Sequence, residues 1–219
     1  MREIVTFDAY GTLVDFQLGP TTLKVLADRL DLDNLDVDEF LDDFRVMRFQ
    51  AVLEAYRPYH EILHSSLRMA MRLHGLEYRE SDGDALVEAV PTFGPFPEVP
   101  DALRALKSRY EIAIITNSDD NLIARNVENI GVEFDYVITA EQAGAYKPDR
   151  QTFEHAFKTM GVEPVRNLLH GVRPLCSLSC IAVSPCRPVV SSRAASAGPS
   201  CRSARRRAGS RRCRGGRSG

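Results

Sequence analysis

Phe7-Asp8-Ala9-Tyr10-Gly11-Thr12-Leu13, residues 7–13, carries more meaning than any other stretch of this chain. The run Ile4, Val5, Thr6, Phe7 ends on an aspartate and gives way at once to small, turning residues. That pattern sets a carboxylate at the carboxyl end of a buried strand, where open α/β sheets hold their ligands. A strand end gives a carboxylate rigid aim. Two places on stands Tyr10. A phenol, with a reference pKa near ~10, is a poor general acid at neutral pH and does not replace a carboxylate in that role.

Two later segments have a related form. Ile112-Ala113-Ile114-Ile115-Thr116-Asn117-Ser118 is an apolar strand ending in hydroxyl and amide side chains, and Gly144-Ala145-Tyr146-Lys147-Pro148-Asp149 is a loop carrying one lysine. Between the first strand and Thr92 the pattern is helical. An apolar stripe at Val37, Phe40, Leu41, Phe44, Met47, Ala51 and Ala55 keeps helical spacing. A second helix is predicted over residues 59–73, ended by Gly75, with shorter ones over 21–30 and 84–90. Four helices without an intervening strand read as an inserted bundle.

The Pro-rich run from Thr92 to Pro100 returns the chain to the main domain. Helix and strand then alternate: helix 101–109, strand 112–115, helix 120–129, strand 136–139, helix 150–160, and a strand starting over 167–170. The pattern predicts an α/β fold, a doubly wound (Rossmann-like) parallel sheet with helices on both faces. The expected organisation is a core of residues 1–14 and 94–170, a helical cap over 15–93, and a disordered tail over 171–219.

Taken together, the three segments resemble, in order and spacing, the first three motifs of the haloacid dehalogenase superfamily over roughly residues 2–170. Asp-Ala-Tyr-Gly-Thr-Leu is similar to its L-2-haloacid dehalogenase branch. Phosphatases of the superfamily carry a second Asp where Tyr10 stands, to protonate a leaving alkoxide, and a leaving halide needs no proton. The resemblance implies a hydrolase acting on carbon–halide bonds, converting short (S)-2-haloalkanoic acids to (R)-2-hydroxy acids through an aspartyl ester. Asp8 would be the nucleophile and Lys147 its charge partner, while Thr12 bonds Asp8 or the turn. Thr116 would bind the substrate carboxylate, with Asn117 near the departing halide. Arg45, following Phe44 on a cap helix, would receive the halide, with Arg48 and Arg57 as rivals. Tyr10 and the amides around Ala9 would line the pocket.

No metal or other cofactor is implied, because there is no phosphoryl charge to neutralise. The partner implied is a small 2-haloacid, and a homodimer is compatible with the family. Two departures stand out. Phe153 sits where the family commonly has a tyrosine, six residues after the motif lysine. The fourth motif's acidic residue, which would orient the ester-hydrolysing water, is missing, for no Asp or Glu follows Glu163. Two alternatives therefore stay open: a magnesium-dependent phosphatase of the same superfamily, and an inactive truncated product.

The formal charge of −2 averages two unlike parts. Residues 171–219 hold eleven Arg and no Lys, Asp or Glu, which leaves 17 basic against 30 acidic side chains before them, a balance of −13. All five cysteines, Cys176, Cys180, Cys186, Cys201 and Cys213, lie in that last stretch and lack zinc-ligand support. The acidic body is unlike a nucleic-acid binder. Its tail reads as a reading-frame shift near His170, the alternative being a basic tail that binds nucleic acid or an acidic partner. His60 and His64 share a helix face, but nothing completes a metal site with them. No apolar run reaches the ~18 residues of a membrane span, and Met1-Arg2-Glu3 lacks a secretion-signal layout, so a cytoplasmic location is expected.

Overall fold

The structure, a computed structural model, describes residues 3–29 and 35–163. The strand expected over 167–170 and the expected disordered tail lie outside the described residues.

Three strands form a parallel sheet in the order β1 (Ile4–Phe7), β2 (Glu111–Thr116), β3 (Tyr136–Thr139). Phe7 pairs with Ile114, and Thr116 with Thr139, so the carboxyl ends of all three strands lie on one side. Alternate residues of β2 serve opposite faces, as a strand's two-residue period requires. Ile112 and Ile114 join a cluster with Leu103 of α5 (Val99–Lys107) and Leu122, Ile123 and Ile130 of α6 (Asp120–Ile130). Ala113 and Ile115 join Ile4, Ile138, and Ala156 and Met160 of α8 (Arg150–Met160) on the other. A parallel sheet with helices on both faces is thus present, as the sequence alternation requires.

Between β1 and α5 lie α1 (Leu18–Val25), α2 (Val37–Ala51), α3 (Tyr59–Leu73), α4 (Glu80–Ala89) and a 3-10 turn at Val90–Thr92. Asp36 caps α2 by accepting from the Glu39 amide at 3.0 Å, and Asp38 and Glu39 complement the dipole of its first turn. Phe40 and Phe44 of α2 bury against Ile62, Leu63, Leu67 and Met71 of α3, within the cluster that also covers β2. The insert and sheet therefore share one continuous apolar interior. Burying a side chain of this size contributes about 1.5–3 kcal/mol each.

Three helices begin earlier than the sequence pattern suggests, among them α5, which starts at Val99 rather than residue 101 with Pro100 in its first turn. α1 starts at Leu18 rather than residue 21 because Pro20 falls in its first turn, where the missing N–H costs no helical bond. α4 starts at Glu80 rather than residue 84 and contains Gly83, which lowers helix propensity but not packing. A Cβ on Gly83 would lie 2.3 Å from Nδ1 of His64, so this glycine lets α4 close onto α3. A further short helix, α7 (Ala140–Ala143), follows β3 directly.

Candidate active site

Asp8 follows β1 directly. The turn behind it is built on the Ala9 carbonyl, which accepts from the amides of Thr12 (3.2 Å), Leu13 (2.8 Å) and Val14 (3.0 Å). Gly11 holds φ +79°, a conformation that disfavours any residue with a Cβ. Thr12 contributes its backbone to this turn, and its hydroxyl has no partner among the described residues. Ala9 is fully buried. Neither Ala9 nor Thr12 lines the pocket above Asp8, so both shape the Asp8 loop from behind.

Lys147, only 4% exposed, reaches from the loop after α7. Its Nζ donates to Asp8 Oδ1 at 2.6 Å and to the Ile115 carbonyl at 2.6 Å. This leaves Asp8 Oδ2 without a hydrogen-bond partner among the described residues. Asn117 and Lys147 are locked reciprocally: Asn117 Nδ2 donates to the Lys147 carbonyl at 3.0 Å, and the Lys147 amide donates to Asn117 Oδ1 at 2.7 Å. One amide thereby ties the second motif to the third and sets the lysine's backbone. Thr116, 1% exposed, lines the pocket with a buried hydroxyl that lacks a partner among the described residues. Such a group is costly to leave unbonded, and a ligand can satisfy it.

Tyr10 presents its ring to the pocket, stacked on Phe16 with centroids 4.5 Å apart. Its hydroxyl points elsewhere. It donates to Asn126 Oδ1 at 3.1 Å and lies 3.1 Å from Ser118 Oγ, which is the donor once the phenol proton goes to Asn126. Burial pushes this phenol well above its ordinary value, with smaller contributions from Tyr59, Asp119 and Asp8. Tyr10 is wall, not acid. Asn126, a residue that sequence reasoning missed, donates in turn to the carbonyls of Val90 and Phe93, both at 2.9 Å. A lone asparagine in an amphipathic helix gives no sequence signal that its amide braces the returning linker.

The pocket encloses about 490 Å³. Asp8, Thr116, Asn117 and Lys147 form its sheet side, and α2 supplies Leu41, Phe44, Arg45, Arg48 and Phe49. Arg45 is half-exposed and paired with Asp42 one turn back at 2.5 Å. Arg48 is held differently. Its Cζ sits 4.9 Å from the Phe44 ring centroid and 5.8 Å from that of Phe16, and its Nη1 donates to the Tyr59 hydroxyl at 3.3 Å. Its Nε is buried without a partner among the described residues. Arg57 does not line this pocket, although its carbonyl accepts from the Tyr146 hydroxyl at 2.8 Å.

A family model described as haloacid dehalogenase-like hydrolase matches residues 3–167. The chain belongs to that family. This family member is 29% identical over 164 residues to an (S)-2-haloacid dehalogenase of Pseudomonas sp. (strain YL), an alignment covering 73% of this chain and 69% of the relative. It is 26% identical over 183 residues to the phosphoglycolate phosphatase of Aquifex aeolicus (strain VF5), covering 77% and 75%. A solved structure of the L-2-haloacid dehalogenase from Xanthobacter autotrophicus superposes with a TM-score of 0.63 at 25% identity, over 75% of this chain and 67% of that one. The protein is thus a hydrolase of this family, with a parallel sheet and flanking helices.

A divalent cation, as the phosphatases of the superfamily imply, does not fit the described residues. Position 10 offers a phenol turned away from Asp8, and Asp8 is already met by a lysine ammonium. Among the described residues, no three His, Cys, Asp or Glu side chains gather to hold an ion. Nor, among them, is any helix long and apolar enough to cross a membrane.

Proposed function

We propose that this protein hydrolyses the carbon–halogen bond of short (S)-2-haloalkanoic acids and releases (R)-2-hydroxy acids through an ester on Asp8. The observation that carries the reading is a strand-end carboxylate with one oxygen held by Lys147 and the other free among the described residues, beside a Tyr10 whose proton is committed to Asn126. Similarity to a Pseudomonas (S)-2-haloacid dehalogenase supports it.

Asp8 Oδ2 attacks C2 from the side opposite the halogen, forming the C–O bond as the halide leaves with its bonding pair. Configuration at C2 inverts. Water then adds to the Asp8 carbonyl carbon, and collapse returns the carboxylate and frees the hydroxy acid. Lys147 holds Asp8 in line and offsets its charge beside an anionic substrate. Thr116 donates to the substrate carboxylate, and Asn117 both fixes Lys147 and presents its remaining N–H near the halide. Arg45 and Arg48 are the two cations of α2 that face this pocket and receive the halide; the stacked, less solvated Arg48 suits developing negative charge better. Thr12 and Ala9 act through the turn. Arrangement as a homodimer is part of the same proposal.

Chloride release from (S)-2-chloropropionate without added metal is the primary assay. A single turnover with enzyme in excess in ¹⁸O water distinguishes the route. Label in the Asp8-containing peptide and unlabelled first-turnover product are expected, and label in that first product would overturn the ester. The sequence has no acid after Glu163 to orient water, so one fast equivalent of chloride followed by slow turnover is expected. The second reading, a magnesium-dependent phosphatase, draws support from similarity to the Aquifex enzyme. Hydrolysis of p-nitrophenyl phosphate with magnesium, without chloride release, would establish it. Silence in both assays would favour an inactive product.

A further inference from the structure

Helix α3 starts without a cap of its own. Pro58 occupies the N-cap position and makes no side-chain bond to the first turn. The first amides of a helix need acceptors, and a buried end without them is costly. They find one in a residue 60 positions away in sequence, on the sheet side. Asp119, 3% exposed, accepts from the Tyr59 amide through Oδ1 at 2.7 Å and from the His60 amide through Oδ2 at 3.0 Å. His60 Nδ1 lies 2.8 Å from the same Oδ2. A carboxylate here also complements the helix dipole.

What this cap holds is the pocket wall. Tyr59 lines the pocket, and its hydroxyl accepts from Arg48, the cation stacked on Phe44. Asp119 itself follows Asn117 by two residues, so the segment that sets Lys147 also seats the insert. The Tyr146 hydroxyl, next to Lys147, makes a second tie by donating to the Arg57 carbonyl.

We infer that Asp119 is a positioning residue: by capping α3 from the sheet side it fixes Tyr59, and through the Tyr59 hydroxyl it orients the Arg48 guanidinium in the pocket. The placement of Arg48 is a matter of geometry alone, while its meaning for turnover rests on the haloacid reading above.

The test uses the full chain and its Asp119→Ala, Asp119→Asn and Tyr59→Phe variants, read by amide hydrogen exchange and by the ¹H–¹⁵N signal of the Arg48 Nε–H. In Asp119→Ala, exchange at Tyr59 and His60 should quicken about tenfold or more, the scale expected for losing charge-assisted bonds. The Arg48 signal should move toward that of a solvated arginine. Asp119→Asn, which keeps one acceptor oxygen, should fall between. Tyr59→Phe should move the Arg48 signal while leaving the two amides protected. For haloacid turnover, kcat/KM should fall roughly tenfold in Asp119→Ala, chiefly through kcat, since the guanidinium it orients meets halide charge that develops in the transition state.

Unchanged exchange, or fast exchange with an unmoved Arg48 signal, would overturn the proposal and leave Asp119 a plain helix cap. Should Asp119→Ala unfold, Asp119→Asn and Tyr59→Phe decide the matter by the same two signals. Absence of chloride release from the unsubstituted chain would sink the haloacid reading without touching either signal.

Discussion

The two walls of the pocket are built on different principles. On the sheet side, Asp8, Thr116 and Asn117 project from strand ends, and Lys147 is buried between two acceptors 2.6 Å away. Thr116 belongs to the ladder, Asp8 and Asn117 follow it by one residue, and Asn117 in turn holds the backbone of Lys147. On the helical side, Arg45 and Arg48 sit three residues apart on one helix, yet one is solvated against Asp42 and the other stacked on Phe44. A strand leaves a side chain two faces to choose from, whereas a helix spreads neighbours around a circle. Under the proposed function, Asp8, Lys147 and the substrate-binding Thr116 belong to the stiffer wall, and the halide's cations to the wall whose details packing sets.

On the proposed function, substitutions in the Asp8–Lys147 pair should cost turnover, and loss of Thr116, which only binds, should cost substrate affinity. Asp8→Asn should abolish the ester and lower chloride release by roughly 10⁴-fold or more, measured under single-turnover conditions. Lys147→Met should lower kcat about 10²–10³-fold, on the scale of removing one preorganised electrostatic partner. It should also destabilise the fold, because Asp8 would lose its buried counterion. Thr116→Val should raise KM around tenfold while leaving thermal stability nearly unchanged, since the hydroxyl it removes lacks a partner among the described residues.

On the opposite wall, Arg48→Lys should lower kcat/KM about tenfold by losing the stacking plane, against less than about threefold for Arg45→Gln, whose ion pair is exposed. A larger effect at Arg45 would restore it as the halide receptor and reverse the ranking of the two helix positions.

The smallest expected effect is alkaline. Burial pushes the Tyr56 phenol up to about 12, and those of Tyr10 and Tyr146 further still. Unfolded phenols ionise near ~10, so above that pH the unfolded chain binds fewer protons than the folded one. Stability should therefore be level through neutrality and decline as pH rises past ~10, visible as a falling midpoint of thermal unfolding. Tyr10→Phe should flatten part of that decline.

Much of this architecture is legible in residue order. A run ending in Asp8, another ending in Thr116-Asn117, and the alternation after Pro100 place the strands and their chemistry, because period-2 burial and a polar strand end leave a direct imprint on the sequence. α3 is readable to both ends for the same kind of reason, its apolar faces being broad and Gly75 closing it. Less is legible where a residue breaks local preference to satisfy a distant one. Gly83 hides the first turn of α4, and its reason is the His64 ring on another helix. Asn126 and Asp119 look like ordinary surface polar residues until their partners arrive from the linker and from α3.

Residue order alone, then, set out an α/β chain with a run of helices after its first strand, a carboxylate at that strand's end and the lysine that pairs with it, since these rest on local periodicity and on residue types within short motifs. Folding settled which arginine turns inward, that the Tyr10 hydroxyl faces Asn126 instead of a substrate, and that Asp119 closes α3. Those outcomes depend on burial and hydrogen-bond satisfaction between segments far apart in the chain, and no single segment encodes its partner's position.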